Sequence, residues 1–306
     1  AGGGADVITF DVLDQASEAT IKGGAGADTM TIGGNVATGD ILGGNGSDVI
    51  QFSGSYSFTG QVLGGAGADR ISGNGDVYLN AAGLTVGGGT GADTISLSEF
   101  GSAGSGAILV GGGGSDSITL TTNEFAVASA GAIGTFSAGA GFGTILGGAG
   151  ADSITFNGAL AVSNSAGAFA GILGFSALSE STEASMDVVS YDNSAGDGEV
   201  LFMMDFGGTI ATAVGSGASR GVLSTNGNGF LASAGDNSSV AERISAIDTL
   251  LTTGEIGTFK DVSGHAYVFV QGGSTDFVAK FQRSDTSPGT VILSADGAGN
   301  FRLQLD

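Results

Sequence analysis

The sequence contains neither cysteine nor tryptophan, and it has one proline and one histidine among its 306 residues. Without cysteine the chain can form no disulfide and carries no thiol chemistry. A single histidine excludes a metalloprotease of the H-E-x-x-H type, which needs two. One proline beside 61 glycines excludes collagen, because that triple helix needs abundant proline and a strict three-residue glycine period. An apolar fraction of 41% is also too high for a disordered linker.

Positive charge is scarce as well. Lysine and arginine together number 8 against 30 aspartates and glutamates, which leaves a net charge of −22. So few cations cannot form the basic surface that binds nucleic acid. The best candidate for a membrane span, residues 200–214, is interrupted by Asp205 and a glycine pair, so no membrane insertion is expected. A hard divalent cation, in contrast, suits a chain this acidic.

The glycines are organised in a repeat. The motif G-G-x-G-x-D, followed two positions later by an apolar residue, occurs in six full copies, and a seventh copy has alanine in its first place. The motif aspartates are Asp6, Asp28, Asp48, Asp69, Asp93, Asp116 and Asp152, at spacings of 22, 20, 21, 24, 23 and 36 residues. A period of 20 to 24 residues is typical of one coil of a solenoid, not of a propeller blade.

Each motif aspartate is followed by alternating apolar residues, the pattern of a strand with one buried face. The first apolar position holds Ile8, Met30, Ile50, Ile71, Ile95, Ile118 and Ile154, and the second holds Phe10, Ile32, Phe52, Gly73, Leu97, Leu120 and Phe156. Nine residues before the first position, a further apolar residue marks a second strand in six coils: Ile21, Ile41, Val62, Val86, Leu109 and Ile145. The sequence therefore predicts an all-β fold, a parallel β-roll (β-solenoid).

Only one edge of this roll is acidic. No carboxylate stands nine residues before a motif aspartate, so the opposite edge carries no matching column. We call the seven motif aspartates the acidic column. Neighbouring coils lie about 4.8 Å apart, and stacked carboxylates would repel by roughly 3 kcal/mol per adjacent pair at an effective dielectric near 20. A divalent cation between successive turns would convert that repulsion into ligation. Calcium fits because it accepts carboxylate and carbonyl oxygens, whereas zinc and copper prefer histidine or cysteine.

The nonapeptide G-G-x-G-x-D-x-U-x, in which U is a large apolar residue, resembles the repeats-in-toxin, or haemolysin-type calcium-binding, proteins, and the resemblance covers residues 1–156. It implies a calcium-bound β-roll and export by bacterial type I secretion. The family binds calcium on both edges, and here alternate nonapeptides lack the aspartate, so metal is expected on one edge only. The resemblance implies up to about six calcium ions, with side-chain oxygens from the acidic column and carbonyl oxygens from the glycines of the same turns. Those glycines are Gly2, Gly4, Gly24, Gly26, Gly44, Gly46, Gly65, Gly67, Gly89, Gly91, Gly112, Gly114, Gly148 and Gly150.

The chain divides into three regions. Residues 1–156 form the predicted calcium-binding β-roll, residues 157–235 continue as a β-rich or irregular region, and residues 236–306 form a β-rich C-terminal module with one helix. The helix is predicted from Ser239 to Thr252, with Asn237 or Ser238 as its cap. The runs 265–271 and 276–282 flank a glycine-containing turn and predict a hairpin. We expect this module to cover the last coil of the roll.

One sequence pattern suggests an enzyme. Gly217 to Gly221 matches G-x-S-x-G around Ser219, and Asp248 or Asp261 and then His265 follow in hydrolase order. Glycine and serine are so abundant that about one chance match is expected, and the strand–turn–helix context of a nucleophilic serine is not predicted. We therefore predict no enzymatic activity.

The functional prediction is a secreted bacterial structural protein that binds calcium and builds an extracellular filament, surface layer or matrix. Its expected partners are other copies of itself, with a cell-surface polysaccharide as a second candidate. An unpaired strand edge at residues 7–12 would allow copies to add head to tail. The alternative is the calcium-folded export portion of a larger secreted adhesin, toxin or hydrolase.

Overall fold

The computed structural model describes residues 2–10, 19–33, 38–53, 56–57, 59–74, 77–79, 84–97, 99–100, 108–121, 144–157, 171–174, 178–191, 200–205, 213–214, 230–231, 239–261, 263, 265–283, 291–295 and 301–305. The strands up to residue 157 are β1 (Val7–Phe10), β2 (Ala19–Ala25), β3 (Thr29–Gly33), β4 (Thr38–Asn45), β5 (Val49–Ser53), β6 (Tyr56–Ser57), β7 (Thr59–Ala66), β8 (Arg70–Asn74), β9 (Val77–Leu79), β10 (Thr85–Thr90), β11 (Thr94–Leu97), β12 (Glu99–Phe100), β13 (Ile108–Gly113), β14 (Ser117–Thr121), β15 (Thr144–Ala149) and β16 (Ser153–Asn157). The later strands are β17 (Gly171–Gly174), β18 (Asp187–Tyr191), β19 (Val200–Asp205), β20 (Ala213–Val214), β21 (Phe230–Leu231), β22 (Glu255–Lys260), β23 (Ala266–Val270), β24 (Phe277–Arg283), β25 (Val291–Ala295) and β26 (Phe301–Leu305).

Two long sheets form the molecule, and each takes one strand from every coil. Within the described residues, one sheet has 13 strands in the order β1-β3-β5-β8-β11-β14-β16-β18-β24-β23-β22-β20, with β21 beside β22. The other has 10 strands in the order β2-β4-β7-β10-β13-β15-β17-β19-β26-β25. All pairs from β1 to β24 in the first sheet and from β2 to β19 in the second are parallel. The predicted β-solenoid is confirmed.

The core lies between the two sheets, as the alternating pattern predicts. Met30 pairs in register with Ile50, and Ile118 pairs with Ile154, so the inward side chains stack coil upon coil. From Met30 onward the first inward ladder is fully buried, and the second strand of each coil buries its own residue opposite. Ladder burial of this kind is worth on the order of 1.5–3 kcal/mol per large side chain.

The stacking continues beyond residue 156. β18 pairs with β16, and β17 and β19 continue the second sheet, so the region after the repeats supplies further coils. Leu173, Val189 and Tyr191 are buried there in the same core. A short third sheet, β12-β9-β6, lies beside three of the coils.

The C-terminal module covers the last coil. β24 pairs parallel to β18 and forms the predicted hairpin with β23. β22 pairs antiparallel to β23, and β26 pairs antiparallel to β19. The helix α1 (Val240–Leu250) packs Ile244 and Ile247 into a second cluster with aromatic residues of β22 and β23. Within the described residues, no helix combines the length and apolar character needed to cross a bilayer.

The helix cap differs from the prediction. Ser239 caps α1, where Asn237 or Ser238 was expected, and a reciprocal capping box explains the choice. The Glu242 backbone N–H donates to Ser239 Oγ at 3.2 Å, and the Ser239 N–H donates to Glu242 Oε2 at 2.8 Å. Ser239 makes both bonds because Glu242 lies three residues after it, whereas Asn237 and Ser238 have no Glu or Gln at that spacing.

Candidate metal-binding column

The motif aspartates stand at equivalent places in successive coils. Each lies directly before a strand of the 13-stranded sheet, so the parallel register that aligns the strands also aligns the carboxylates. Asp28, Asp48, Asp69, Asp93, Asp116 and Asp152 are all buried, and Asp6, in the first coil, is partly exposed. Even the 36-residue spacing between Asp116 and Asp152 does not interrupt the stack. The acidic column predicted from the sequence is therefore present in the fold.

A chain of hydrogen bonds links the column from coil to coil. The backbone N–H of each aspartate donates to Oδ1 of the aspartate in the next coil, at 2.8 Å from Asp6 to Asp28 and 2.7 Å from Asp28 to Asp48. The same bond recurs at each later step, with distances from 2.7 to 3.0 Å. One oxygen of each buried carboxylate is thus satisfied by the backbone.

The second oxygen of each buried carboxylate has no hydrogen-bond partner. This holds for Oδ2 of Asp28, Asp48, Asp69, Asp93, Asp116 and Asp152. Buried polar atoms are nearly always paired in native proteins, and a ligand that carries positive charge would satisfy this regular series of unpaired oxygens.

The first glycine of each motif makes room beside that oxygen. A Cβ on Gly23 would lie 2.5 Å from Asp28 Oδ2 and 2.5 Å from the carbonyl oxygen of Gly43 in the next turn. The same pair of oxygens meets at Gly43, Gly64, Gly88 and Gly111, so a carboxylate and a backbone carbonyl converge on the space between successive turns. Any residue with a side chain would fill that space.

The glycines at the second and fourth positions of the motif have a different role. Gly44 has a φ of +122°, and a Cβ there would collide with the Gly24 carbonyl oxygen of the preceding turn. Positive φ and this close approach both require glycine. These glycines, predicted as metal-site residues, do line the turns. The backbone oxygen beside the carboxylate, however, belongs to the first glycine of the next turn. The sequence analysis did not name the first glycines as site residues.

Burial raises the pKa of five aspartates of the column. It raises the pKa of Asp69 to about 6 and that of Asp116 to about 6, and the charges of the neighbouring aspartates add to the effect against the opposing backbone hydrogen bond. The pKa values of Asp48, Asp93 and Asp152 are raised by burial as well. The metal-free column therefore resists carrying its full negative charge.

Sequence reasoning missed an eighth member of the column. Asp187 is completely buried at the first residue of β18, and its Oδ1 accepts the Asp152 N–H at 3.0 Å. It lacks the glycine motif, but Val189 and Tyr191 follow it at the same spacing as the ladder residues, and it stands 35 residues after Asp152. The alternating strand pattern after Asp187, together with a spacing close to the 36 residues between Asp116 and Asp152, is the sequence signal that could have identified Asp187.

The donor set fits calcium. Within the described residues, no three acidic or histidine side chains are close enough to bind one ion without other ligands. Backbone carbonyls would therefore complete the coordination, which is the kind of mixed oxygen shell that calcium accepts and zinc does not. Comparisons with protein-family models, curated proteins and solved structures find no match for this chain.

The residues of the hydrolase-like pattern do not assemble into a described catalytic site. Asp261 Oδ2 lies 2.9 Å from His265 Nδ1 and accepts the Tyr267 hydroxyl at 3.0 Å. Asp261 Oδ1 accepts the backbone N–H groups of Ser263 and His265. Asp248 instead accepts the Gln271 side-chain amide at 3.1 Å, and Ser219 lies outside the described residues. Each contact made by Asp261 ties the turn between β22 and β23.

Proposed function

We propose that this chain is a secreted, calcium-binding structural protein whose β-roll folds around calcium and assembles into an extracellular filament, surface layer or matrix. The single observation that supports it is the series of buried aspartates, each with one oxygen unpaired beside a glycine-lined turn. The resemblance of the repeats to repeats-in-toxin proteins points to the same metal and to export from a bacterium. Extracellular calcium modules bind with dissociation constants near 10⁻⁴–10⁻³ M, which suits a protein that folds outside the cell.

Calcium would control folding because the bare column opposes it. Ordering each residue costs about 1–2 kcal/mol in backbone entropy, and glycine loses more than any other residue. Burying unpaired carboxylates adds a further penalty. A bound divalent cation would neutralise them and supply its binding free energy to the folded state. The exporting cell, where free calcium is low, would then hold the roll unfolded until it reached the outside.

The two ends of the roll suit head-to-tail addition. At the first coil, β1 and β2 are sheet edges within the described residues, and Val7 is 81% exposed. Ile8 and Phe10 are only partly buried, unlike the ladder residues above them. The opposite end presents two edge strands within the described residues, β20 from the region before the C-terminal module and β25 of the module. Because the two ends are unlike, a contact between them is heterologous and propagates instead of closing a dimer.

The experiment is light scattering and negative-stain electron microscopy of the full chain in millimolar calcium and in EGTA. We expect ordered polymers in calcium and none in EGTA. Val7→Lys places a charge on the free edge and should block polymer growth without changing calcium binding. Thr31→Lys is the matched control, because Thr31 points outward from β3, which has neighbours on both sides. Calcium-loaded protein that stays monomeric at high concentration would contradict the assembly.

The second candidate function is the calcium-folded export portion of a larger secreted adhesin, toxin or hydrolase. The same exposed edge at β1 favours it, because an upstream coil of one longer chain could pair there as well as a second copy could. The genomic reading frame before Ala1 distinguishes the two, since an upstream effector domain would support the alternative.

A further inference from the structure

The last turn of the roll contains a cluster of acidic groups that the repeats do not explain. Asp187 is completely buried, Asp152 is 2% exposed, and Oδ2 of each has no hydrogen-bond partner. The carboxylate of Glu180, in the 3-10 helix Leu178–Glu180, is close enough for its charge to act on both. The turn of residues 178–186, which includes Glu180 and leads directly into Asp187, contains no glycine.

This turn is shaped by side chains where the repeats use glycine. Thr182 and Ser185 exchange two backbone hydrogen bonds at 3.2 Å, and their hydroxyls lie 3.0 Å apart. Ser181 Oγ accepts the Asp187 N–H at 2.9 Å and donates to the carbonyl of Val278. The Val278 N–H donates back to the Ser181 carbonyl at 2.9 Å. The turn is therefore held in place by strand β24 of the C-terminal module.

The first glycine of the last repeated turn also faces its own aspartate. A Cβ on Gly147 would lie 2.7 Å from Asp152 Oδ2. The unpaired oxygen of Asp152 therefore borders a space that only glycine leaves open, as in the preceding turns.

Protonation alone does not explain the unpaired oxygen of Asp187. A protonated Oδ2 becomes a donor and needs an acceptor. The structure places no hydrogen-bond partner within reach of that atom. A cation satisfies an unpaired carboxylate oxygen without any acceptor, and two such oxygens together with a third negative charge attract a divalent one.

We propose that the junction between the roll and the C-terminal module holds an additional divalent-cation site, formed by Asp152 and Asp187 under the charge of Glu180. It rests on the proposed function, since it uses the same cation as the repeated turns. Seven glycine turns make six intervals, and Asp187 adds a seventh whose second wall is not a glycine turn. An ion there joins the last repeat to a turn fixed by β24, and so couples calcium loading of the roll to docking of the module.

The test counts bound calcium in the full chain by equilibrium dialysis with atomic emission, alongside isothermal titration calorimetry. We expect seven ions on the wild type, six on Asp187→Asn, and seven on Glu183→Gln. Glu183 is exposed in the same turn and loses the same charge, so it is the matched control. Six ions on both the wild type and Asp187→Asn would overturn the junction site and leave the proposed function intact. No bound calcium on the wild type would overturn both.

A second variant keeps the inference testable if Asp187→Asn does not fold. Glu180→Gln keeps the size of the side chain and the two buried aspartates, and it should weaken the affinity for one of the seven ions by about tenfold. Hydrogen exchange should show the corresponding loss of protection in residues 178–191 at subsaturating calcium. An unchanged isotherm for Glu180→Gln would contradict the site.

Discussion

Two aspartates, a buried one in the roll and a partly buried one in the C-terminal module, show how differently the two regions are stabilised. Asp261 in the module has both carboxylate oxygens hydrogen-bonded, by backbone N–H groups of Ser263 and His265 and by the side chains of His265 and Tyr267. Asp69 in the roll has one oxygen bonded and one unpaired. In the module, hydrogen bonds from neighbouring groups satisfy the carboxylate of Asp261. In the roll, one carboxylate oxygen has no hydrogen-bond donor, and a cation could bind to it.

The contrast extends to the cores. The module has its own cluster beneath α1, where Phe259 and Tyr267 stack with ring centroids 4.7 Å apart. The roll buries at most two ladder residues from each strand and carries glycine in every motif turn. The same sheet runs through both regions, so continuity of the backbone pairing does not make their stability equal.

Removing calcium should give the largest difference between the regions. In EGTA we expect backbone amides of β3, β5, β8, β11 and β14 to lose protection, because the unneutralised column opposes folding. Amides of α1 and β23 should keep more of theirs, because their cluster contains no unpaired carboxylate. Hydrogen exchange with mass spectrometry on the full chain measures both in one sample. Equal protection of the coils in calcium and in EGTA would contradict the role of the metal.

The pH dependence in chelator should have opposite signs in the two regions. The pKa of Asp69 and of Asp116 is about 6 in the folded roll and that of Asp187 about 8, against 3.8 for an ordinary aspartate. Between pH 3.8 and 8 the folded roll binds more protons than the unfolded chain, so its stability falls as pH rises. We expect higher protection factors in the metal-free coils at pH 5 than at pH 8.

The module should respond the other way. Burial raises the pKa of Asp261, but the hydrogen bonds from His265 and Tyr267 outweigh it and hold the pKa below its usual value. The stability that this carboxylate contributes is present above pH 3.8 and is lost as pH falls through the folded pKa. With calcium bound, acid should weaken the roll too, because protons compete for the ligand oxygens. A metal-free roll that weakens on acidification from pH 8 to 5 would contradict the pKa assignments.

A pair of glycine substitutions compares a motif position that requires glycine with a motif position that does not. Gly44→Ala puts a Cβ against the Gly24 carbonyl at a φ of +122°, and we expect a loss of roughly 3 kcal/mol in the free energy of unfolding. Gly113→Ala is the control, since a Cβ there meets nothing within 4 Å. Urea unfolding of the calcium-loaded variants, followed by circular dichroism, compares them. Equal effects would show that the turns tolerate side chains.

The smallest effect is expected in the module. Ser239→Ala removes the capping box of α1 and should cost about 1 kcal/mol of local stability. Because the helix contacts no part of the acidic column, calcium affinity should stay unchanged. Hydrogen exchange of α1 and a calcium titration check the two statements. A large fall in calcium affinity would mean that the cap and the column are more tightly coupled than the structure indicates.

Sequence reasoning reached the repeated coils because their signal is local. Alternation after Asp28 or Asp93 requires only knowledge of strand periodicity, and the repeat length sets the register of the stack. The hairpin of β23 and β24 was found for the same reason, from two apolar runs around a short turn. The strand order past Asp152 could not be read in this way, because the connections there are long and variable in length.

Within the site, the type of ligand was predictable and its detail was not. Carboxylates at a constant place in each coil indicate an oxygen-preferring cation. In each buried aspartate of the column, Oδ1 accepts a backbone N–H and Oδ2 is unpaired. This difference between the two oxygens depends on the coil-to-coil register at atomic distances. The contribution of the first glycine depends equally on the neighbouring turn, since its importance lies in the missing Cβ and in a carbonyl one coil away.

The sequence by itself determined the coil, the inward ladders and one acidic edge, because each follows from residue periodicity within about twenty positions. The tertiary structure decided that Asp187 completes the column and that the module joins the roll through β24 and β26. Both outcomes depend on pairing between strands that lie far apart in the chain. The length of the connecting loop does not fix which strands pair there, and backbone hydrogen bonding selects the partner of each strand.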